Sequence, residues 1–581
     1  MAGARSEAPP PPAFLLPADC VTTLASPPDF YAALLRGVAS ASAQVTLSAL
    51  YLGTGALEVA LAAALRDRLL AAPRLHLLAQ FDHSRALRPT HPPPGAPPRH
   101  ASSAALLLDL FRGADGAVHP ALPPRVRVGL TLMPQLRGLW GALLPPRLRE
   151  GAGVWHVKAY AFDAHTVLLS GANLSSDYFT TRQDRYVVVS SAGGAGGGAG
   201  EEGVARLAAY VHRCVGAVSR LPGSHVLLPS GRVEPVGGGG GGGRAELWGG
   251  EGTDTEKVAA AAAPQPPPLQ QGLAPPLPLP PVTYSPLPRG SPLHAAFAAG
   301  LRALLLGASA DAALRPEGGV PRGAVLVRPR WQLGSLGVAA DDAALLALLR
   351  AQPPAARATL HLSTGYFNLP APLQRALVGG ARTCVHVLTA APAANGFLGA
   401  RGVAGAIPLA YSELERRFHD AAARAGRLMR DPEGAPGGEG VAIHEYARPG
   451  WTFHAKGLWL LPRGGGAGAG AGGEAAPLFT TVVGSSNYGE RSLWRDLELQ
   501  LEFTSSDSAL RARLAAERDA LWAPPWAGAV GAHLVGTAPG YGASRAVWDA
   551  RAVPSRALQW RLAWANGVWI RAGCRLLARF F

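Results

Sequence analysis

A short pattern, His-x-Lys, occurs in both halves of this chain, as His156-Val157-Lys158 within VWHVKAYAFD and as His454-Ala455-Lys456 within TFHAKGLWL. Its weight comes from its surroundings. The 581 residues hold three lysines, at 158, 257 and 456, and every other basic side chain apart from histidine is arginine. An ammonium is a compact point charge and a guanidinium a flat fork, so a tight anion site does not exchange one for the other. Lysine kept at two matched positions, against a composition that removed it elsewhere, marks a duplicated site for a phosphate-like anion. A chain with one half-site in each half has to fold so that the halves face each other.

The correspondence runs past the pair itself. Alternate residues of an extended strand share a face, so each histidine points the same way as its lysine. The first copy continues to Asp163 and to Gly171-Ala172-Asn173 on the next predicted strand; the second continues to Gly484-Ser485-Ser486-Asn487. Asn173 lies 17 residues beyond His156 and Asn487 lies 33 beyond His454, and the Gly/Ala-rich insert 464–476 accounts for most of the difference. Eleven residues past each asparagine stands an acid, Asp184 in one copy and Glu498 in the other. Leu461 occupies the place where a second Asp163 would fall.

These residue types suit displacement at phosphorus. A neutral imidazole can attack phosphorus if a carboxylate holds its other nitrogen and fixes the tautomer. A second imidazole from the facing half moves the proton of the leaving or entering oxygen. Lysine and asparagine stabilise charge on the non-bridging oxygens. The catalytic candidates are therefore His156 as nucleophile, His454 as acid/base, Lys158, Lys456 and Asp163. Supporting them are Asn173, Asn487, Asp184 and Glu498, the two acids as carboxylates that orient the imidazoles. Asp163 begins a turn, where it suits bracing the hairpin or Lys158. The chemistry calls for no cofactor or metal, and HExxH or clustered carboxylates are absent from the sequence. The glycine runs lack the GK[ST] ending of a phosphate loop. Asp82 and Arg85 fall at the carboxyl end of a predicted strand, a place favoured for ligands in open α/β sheets. Arg182, Arg185, Arg491 and Arg495 suit either substrate phosphate or the surface.

Strands such as QVTLSALYL and RLHLLAQFD alternate with amphipathic helices, which predicts an α/β class. The pattern divides into a flexible N-terminus (1–27), a first lobe (28–234), a Gly/Pro-rich linker (235–291), a second lobe (292–547) and a basic, aromatic tail (548–581). In the tail Trp548, Trp560, Trp564 and Trp569 alternate with arginines. That pattern suits a membrane–water interface, or a helix docked on its own lobe. A formal charge of +15 favours an anionic partner. Four scattered cysteines without CxxC spacing argue against a zinc site or disulfide framework. No apolar run reaches membrane-spanning length, and the N-terminus reads as neither a secretory signal nor a clear presequence.

These motifs resemble the phospholipase D superfamily, whose signature is HxKxxxxD in two copies, each followed by a Gly-x-x-Asn-like turn. The blocks GANLSSDYFTTRQDRY, LRGLWGALLPPRLRE, LYLGTG, NGFLGARGVAGAIPLAY and RPGWTFHAKGLWL are similar to the eukaryotic CDP-diacylglycerol–glycerol-3-phosphate 3-phosphatidyltransferases. Apart from the low-complexity inserts, the likeness covers 28–235 and 290–575. It implies two phospholipase D-like α/β/α lobes related by pseudo-two-fold symmetry, with the active site at their interface. It implies transfer of phosphatidyl from CDP-diacylglycerol to sn-glycerol 3-phosphate through a phosphohistidine, releasing CMP and making phosphatidylglycerophosphate on the way to phosphatidylglycerol and cardiolipin. It further implies a mitochondrial enzyme, peripheral to the inner membrane on an anionic surface, in which a monomer suffices and no nucleic acid partner is expected. Members of this family have an incomplete second motif, as here at Leu461. Two other readings stand beside this one: a phospholipase D-type hydrolase of lipid or nucleic acid, and a non-enzymatic basic scaffold.

Overall fold

The structure, a computed structural model, describes residues 13–90, 100–136, 150–191, 199–237, 283–284, 292–307, 319–350, 358–379, 383–400, 405, 407–429, 439–462, 477–523 and 527–529. Its first two strands, β1 (Phe14–Pro17) and β2 (Val21–Leu24), join different sheets. The first half continues with β3 (Gln44–Ser48), β4 (His76–Asp82), β5 (Val126–Thr131), β6 (Ala159–Phe162) and β7 (Thr166–Ser170). It closes with β8 (Arg182–Gln183), β9 (Tyr186–Ser190), β10 (His225–Leu227), β11 (Arg232–Pro235) and the short β12 (Thr283–Tyr284). Helices Pro27–Ser40 and Ala56–Ala71 flank β3, so β3, β4 and β5 pair in parallel, as helical crossovers require. The sheet order is β12-β11-β10-β5-β4-β3-β6-β7-β9-β2.

The second half repeats the plan with β13 (Ala324–Leu333), β14 (Val338–Ala339), β15 (Ala358–Thr364), β16 (Thr383–Ala390), β17 (Gly440–Tyr446), β18 (Thr452–Phe453), β19 (Gly457–Pro462), β20 (Phe479–Gly484), β21 (Glu498–Ser505) and β22 (Ala527–Ala529). Its order, β1-β13-β21-β20-β19-β15-β16-β17-β22, superposes as a topology on the first: β15 to β17 are parallel like β3 to β5, and β19 takes the place of β6. The expected pair of α/β lobes is present.

Side-chain alternation explains the layering. In β6, Ala159 and Ala161 enter one core while Tyr160 and Phe162 enter another, so both faces of the strand are buried. The core between the sheets draws Trp155, Val187 and Val204 from the first half and Trp331, Trp459 and Leu501 from the second. Helices Ala199–Arg220 and Ser508–Trp522 contribute to this shared layer, and separate cores lie under the outer helices. Trp331 Nε1–H donates to the Tyr210 hydroxyl at 2.7 Å across the junction.

One expectation needs correction. The segment 1–27 is not uniformly a flexible lead: from residue 13 it is built in. Phe14 and Leu16 are buried, Phe14 lies edge-on to Tyr210 at 5.5 Å, and β1 completes the second-half sheet while β2 pairs with β9 in the first. Most of the linker 235–291, the inserts at 192–198 and 464–476, most of the LRGLWGALLPPRLRE block and the tail 548–581 lie outside the described residues.

Candidate active site

Each His-x-Lys stretch runs into the strand next to the parallel core of its sheet. A buried serine from the neighbouring strand pins it there: Ser48 Oγ donates to Val157 O at 3.0 Å, and Ser363 Oγ donates to Ala455 O at 2.9 Å. The same stretch is bonded to the other half. His156 N–H donates to Leu497 O at 3.0 Å and Leu497 N–H to Val154 O at 3.0 Å. In mirror fashion His454 N–H donates to Gln183 O at 2.8 Å and Thr452 N–H to Thr181 O at 3.0 Å, within the parallel pair β8 and β18. Leu497 precedes Glu498 and Gln183 precedes Asp184, so these bridges carry each acid to the opposite histidine.

The side chains complete the exchange. His156 Nδ1 lies 2.9 and 3.0 Å from the two oxygens of Glu498, and His454 Nδ1 lies 2.6 Å from Asp184. Both acids are fully buried. The sequence paired each acid with a histidine only by spacing; the structure pairs them crosswise, one from each half. Lys158 Nζ donates to His156 O at 2.9 Å and Lys456 Nζ to His454 O at 2.7 Å, each folding back beside its own ring.

Burial, and then the adjacent lysine charge, holds both imidazoles well below their ordinary range, so both are neutral. Burial pushes Glu498 up to about 7 and Asp184 up to about 6, against the pull of the lysines. Burial also lowers Lys456 to about 8 and Lys158 well below the usual lysine range. Each dyad therefore shares one proton between Nδ1 and a carboxylate, which leaves a lone pair on Nε2. The fields of His156 and Lys158 both reach His454, as expected for one composite site.

The two Nε2 atoms differ. That of His156 has no hydrogen-bond partner among the described residues. That of His454 accepts from the Tyr178 hydroxyl at 3.2 Å and lies 3.1 Å from Lys456 Nζ, and Tyr178 in turn accepts from Asn173 Nδ2 at 3.2 Å. Asn487, the counterpart of Asn173, leaves its buried Oδ1 without a partner. The surroundings of the acids differ too. Ser485 and Ser492 lie beside Glu498, Ser485 Oγ donating to Leu499 O at 3.2 Å, while Asp184 accepts from Arg185 N–H at 2.8 Å. At the position of Ser485 the first half has Gly171, where a Cβ would stand 2.7 Å from Asp184 and 2.9 Å from Lys456 Nζ. Glycine there admits the lysine of the other half.

Asp163 does not join the site. It accepts from the backbone N–H groups of Ser42, Ala43 and Gln44 at 2.7–2.8 Å and from the Ser42 hydroxyl at 3.0 Å, at the opposite end of β6 from His156. It braces the entry to β3 from a left-handed conformation (φ 49°), its carbonyl lies 2.9 Å from His212 Nε2, and it bonds to none of Lys158, His156 and His454. Leu461 instead packs into the shared core. Asp82 is a further brace, accepting from Trp155 N–H at 2.9 Å, and Arg85 is paired with Glu150 at 3.0 Å. Arg185 is fully buried and paired with Glu517, and Arg495 donates to Gly151 O. Arg491 binds Asp496 at 2.8 Å, and Asp496 also accepts from Val154 N–H.

The sequence reading missed Tyr178, Tyr366, Ser485, Ser492 and Asp496. Tyr366 lies edge-on to His454 at 5.4 Å. A signal for two of them existed: Tyr178 and Ser492 each lie five residues past the motif asparagine. His156, Asp496 and Glu498 place ligand atoms within 4.8 Å of one another, close enough to surround a cation. Those of Asp496 are already engaged by Arg491 and Val154, and both oxygens of Glu498 by His156, so an ion would have to displace these bonds.

The chain is 32% identical over 522 residues to the human protein named CDP-diacylglycerol–glycerol-3-phosphate 3-phosphatidyltransferase, mitochondrial, spanning 88% of this chain and 78% of that one. The chicken protein of the same name is 31% identical over 528 residues, spanning 88% and 79%. Among solved structures, the phosphatidylserine synthase of Haemophilus influenzae Rd KW20 shares the fold, with a TM-score of 0.56 at 18% identity over 89% of each chain. No family model matches the chain.

Proposed function

The chain belongs to the family of CDP-diacylglycerol–glycerol-3-phosphate 3-phosphatidyltransferases, and from that premise we propose how its crossed dyads carry the transfer of phosphatidyl from CDP-diacylglycerol to sn-glycerol 3-phosphate. His156 Nε2 attacks the phosphatidyl phosphorus while Glu498 holds Nδ1–H. The P–O bond to CMP breaks as the P–N bond forms. The departing oxygen belongs to a phosphate whose second pKa is about 6, so it leaves as an anion without needing a proton. The acceptor hydroxyl then attacks the same phosphorus, gives its proton to neutral His454, and the P–N bond breaks. Phosphatidylglycerophosphate is released. Lys158, Lys456, Asn173 and Asn487 surround the non-bridging oxygens.

The observation that carries this reading is the pair of neutral imidazoles, each held by the other half's carboxylate, with one Nε2 open and one tyrosine-capped. The decisive experiment gives purified protein CDP-diacylglycerol with and without sn-glycerol 3-phosphate and follows CMP and lipid. CMP release that depends on the acceptor is expected; release of phosphatidate without it would indicate a hydrolase.

We place the enzyme in mitochondria, as its human and chicken relatives are named. Among the described residues no helix is long and apolar enough to cross a membrane. A charge of +15 suits peripheral attachment to the anionic inner membrane. The product would feed phosphatidylglycerol and cardiolipin synthesis.

A further inference from the structure

Displacement at phosphorus is in line, so the leaving and the entering oxygen both lie opposite His156, on the His454 side. CMP departs there carrying an uncompensated phosphate. The acceptor, which carries a phosphate of its own, enters the same space once CMP has gone. A cation placed beyond His454 would serve both.

Arg182 stands at that place. Its guanidinium lies 4.7 Å from the ring centre of Tyr178, the residue whose hydroxyl touches His454 Nε2. Nε donates to Thr452 Oγ1 at 3.0 Å, and Nη1 lies 3.1 Å from the partly exposed Asp177. Nη2 makes no hydrogen bond among the described residues. It occupies the space a side chain at Gly396 would need, since a Cβ there would stand 2.8 Å away. Phe397, the next residue, packs at a tilt against Tyr366 with ring centres 5.4 Å apart, and Tyr366 faces His454. The other arginines near the histidines are spent or on the wrong side. Arg185 gives its fork to Glu517, Val482 O and Thr481. Arg491 is bound to Asp496, and its charge acts on His156.

We propose that Arg182 is a single phosphate-binding residue used twice, first for the phosphate of departing CMP and then for the phosphate of the acceptor, and that it thereby selects an anionic acceptor. This rests on the transfer reading above. Sharing one guanidinium makes CMP and acceptor mutually exclusive, and an uncharged alcohol forfeits the contact.

The test compares the unaltered enzyme with Arg182→Gln and Arg182→Lys in three assays: exchange of labelled CMP into CDP-diacylglycerol without acceptor, transfer to sn-glycerol 3-phosphate, and transfer to glycerol. Loss of one charge-assisted contact predicts that Arg182→Gln raises the half-saturating CMP concentration and the KM for sn-glycerol 3-phosphate together, each roughly 10- to 100-fold. The preference for sn-glycerol 3-phosphate over glycerol in kcat/KM falls by a similar factor, and Arg182→Lys recovers part of it. A change in only one of the two constants would overturn the shared site. An equal fall in kcat with both acceptors and unchanged KM would show a merely structural arginine. No exchange and no acceptor-dependent CMP release by the unaltered enzyme would instead strike the transfer reading itself.

Discussion

His156 and His454 occupy matching places in two matching sheets, and each gives Nδ1 to an acid from the other half. They part at Nε2 and behind the acid. On one side lies an open nitrogen and a carboxylate flanked by Ser485 and Ser492. On the other a tyrosine caps the nitrogen, and a glycine lets the lysine close in on the carboxylate. The frame is duplicated, and on the proposed mechanism these local differences divide the labour. On the proposed mechanism the dyad with the open nitrogen makes the attack, and its carboxylate compensates the phosphoimidazolium that forms. The capped dyad needs only to accept a proton later.

The largest effect that tests this division is loss of His156. His156→Ala is expected to abolish transfer and CMP exchange by roughly 10⁴-fold or more, and the double variant with His454→Ala to lose little further, because parts of one machine are not additive. Losses that multiply would show two independent histidines. In the sharper version, labelled lipid is trapped by rapid quench and the modified peptide located; label on His454 would reverse the roles. Next is Gly171→Ala, which pushes Lys456 and Asp184 apart. Misplacement of this order costs roughly 100-fold in kcat/KM, whereas Ser485→Gly, the reverse change in the other half, should cost only severalfold through Glu498. Equal losses would erase the proposed difference.

The pH profile comes third. Both carboxylates must be ionised to hold Nδ1–H, and their values are raised, to about 7 for Glu498 and about 6 for Asp184, so kcat/KM falls as pH drops through that window. Lys456, lowered to about 8, loses its charge as pH rises, which sets the alkaline limb. A profile flat from pH 5 to 9 would contradict these assignments. Smallest in catalysis is Asp163→Ala: about 2–4 kcal/mol of stability, seen in denaturant unfolding, with near-normal kcat in the folded fraction. A large kcat loss without destabilisation would return Asp163 to the active site.

Much of the site was legible because its chemistry is unforgiving. Lysine cannot become arginine beside these rings, so Lys158 and Lys456 stood out, and the matched spacing exposed Asp184 and Glu498. That the acids cross over was not legible. One crossing rests on β8 and β18, two residues each, and the other on a single bridge between Trp155 and Leu497, all too short to show periodicity. Asp163 misled because it belongs to the motif by position and to the scaffold by contact. Tyr178 and Tyr366 carried no signal of their own, since an aromatic side chain has the same apolar character in a core or beside a site. The entry strands FLLP and VTTL, four residues each and the first ending in a proline, looked like a loose lead.

The placement of β1 bears on how the chain is made. Phe14–Pro17 pairs with Ala324–Val327, so this segment, once made, waits for a partner some three hundred codons downstream. At ordinary elongation speeds that delay is roughly 15–60 s. Through that interval the apolar Phe14 and Leu16 have no sheet to cover them. A nascent-chain chaperone, or temporary lodging against the helix Ala199–Arg220, would guard the first strand until the second half arrives.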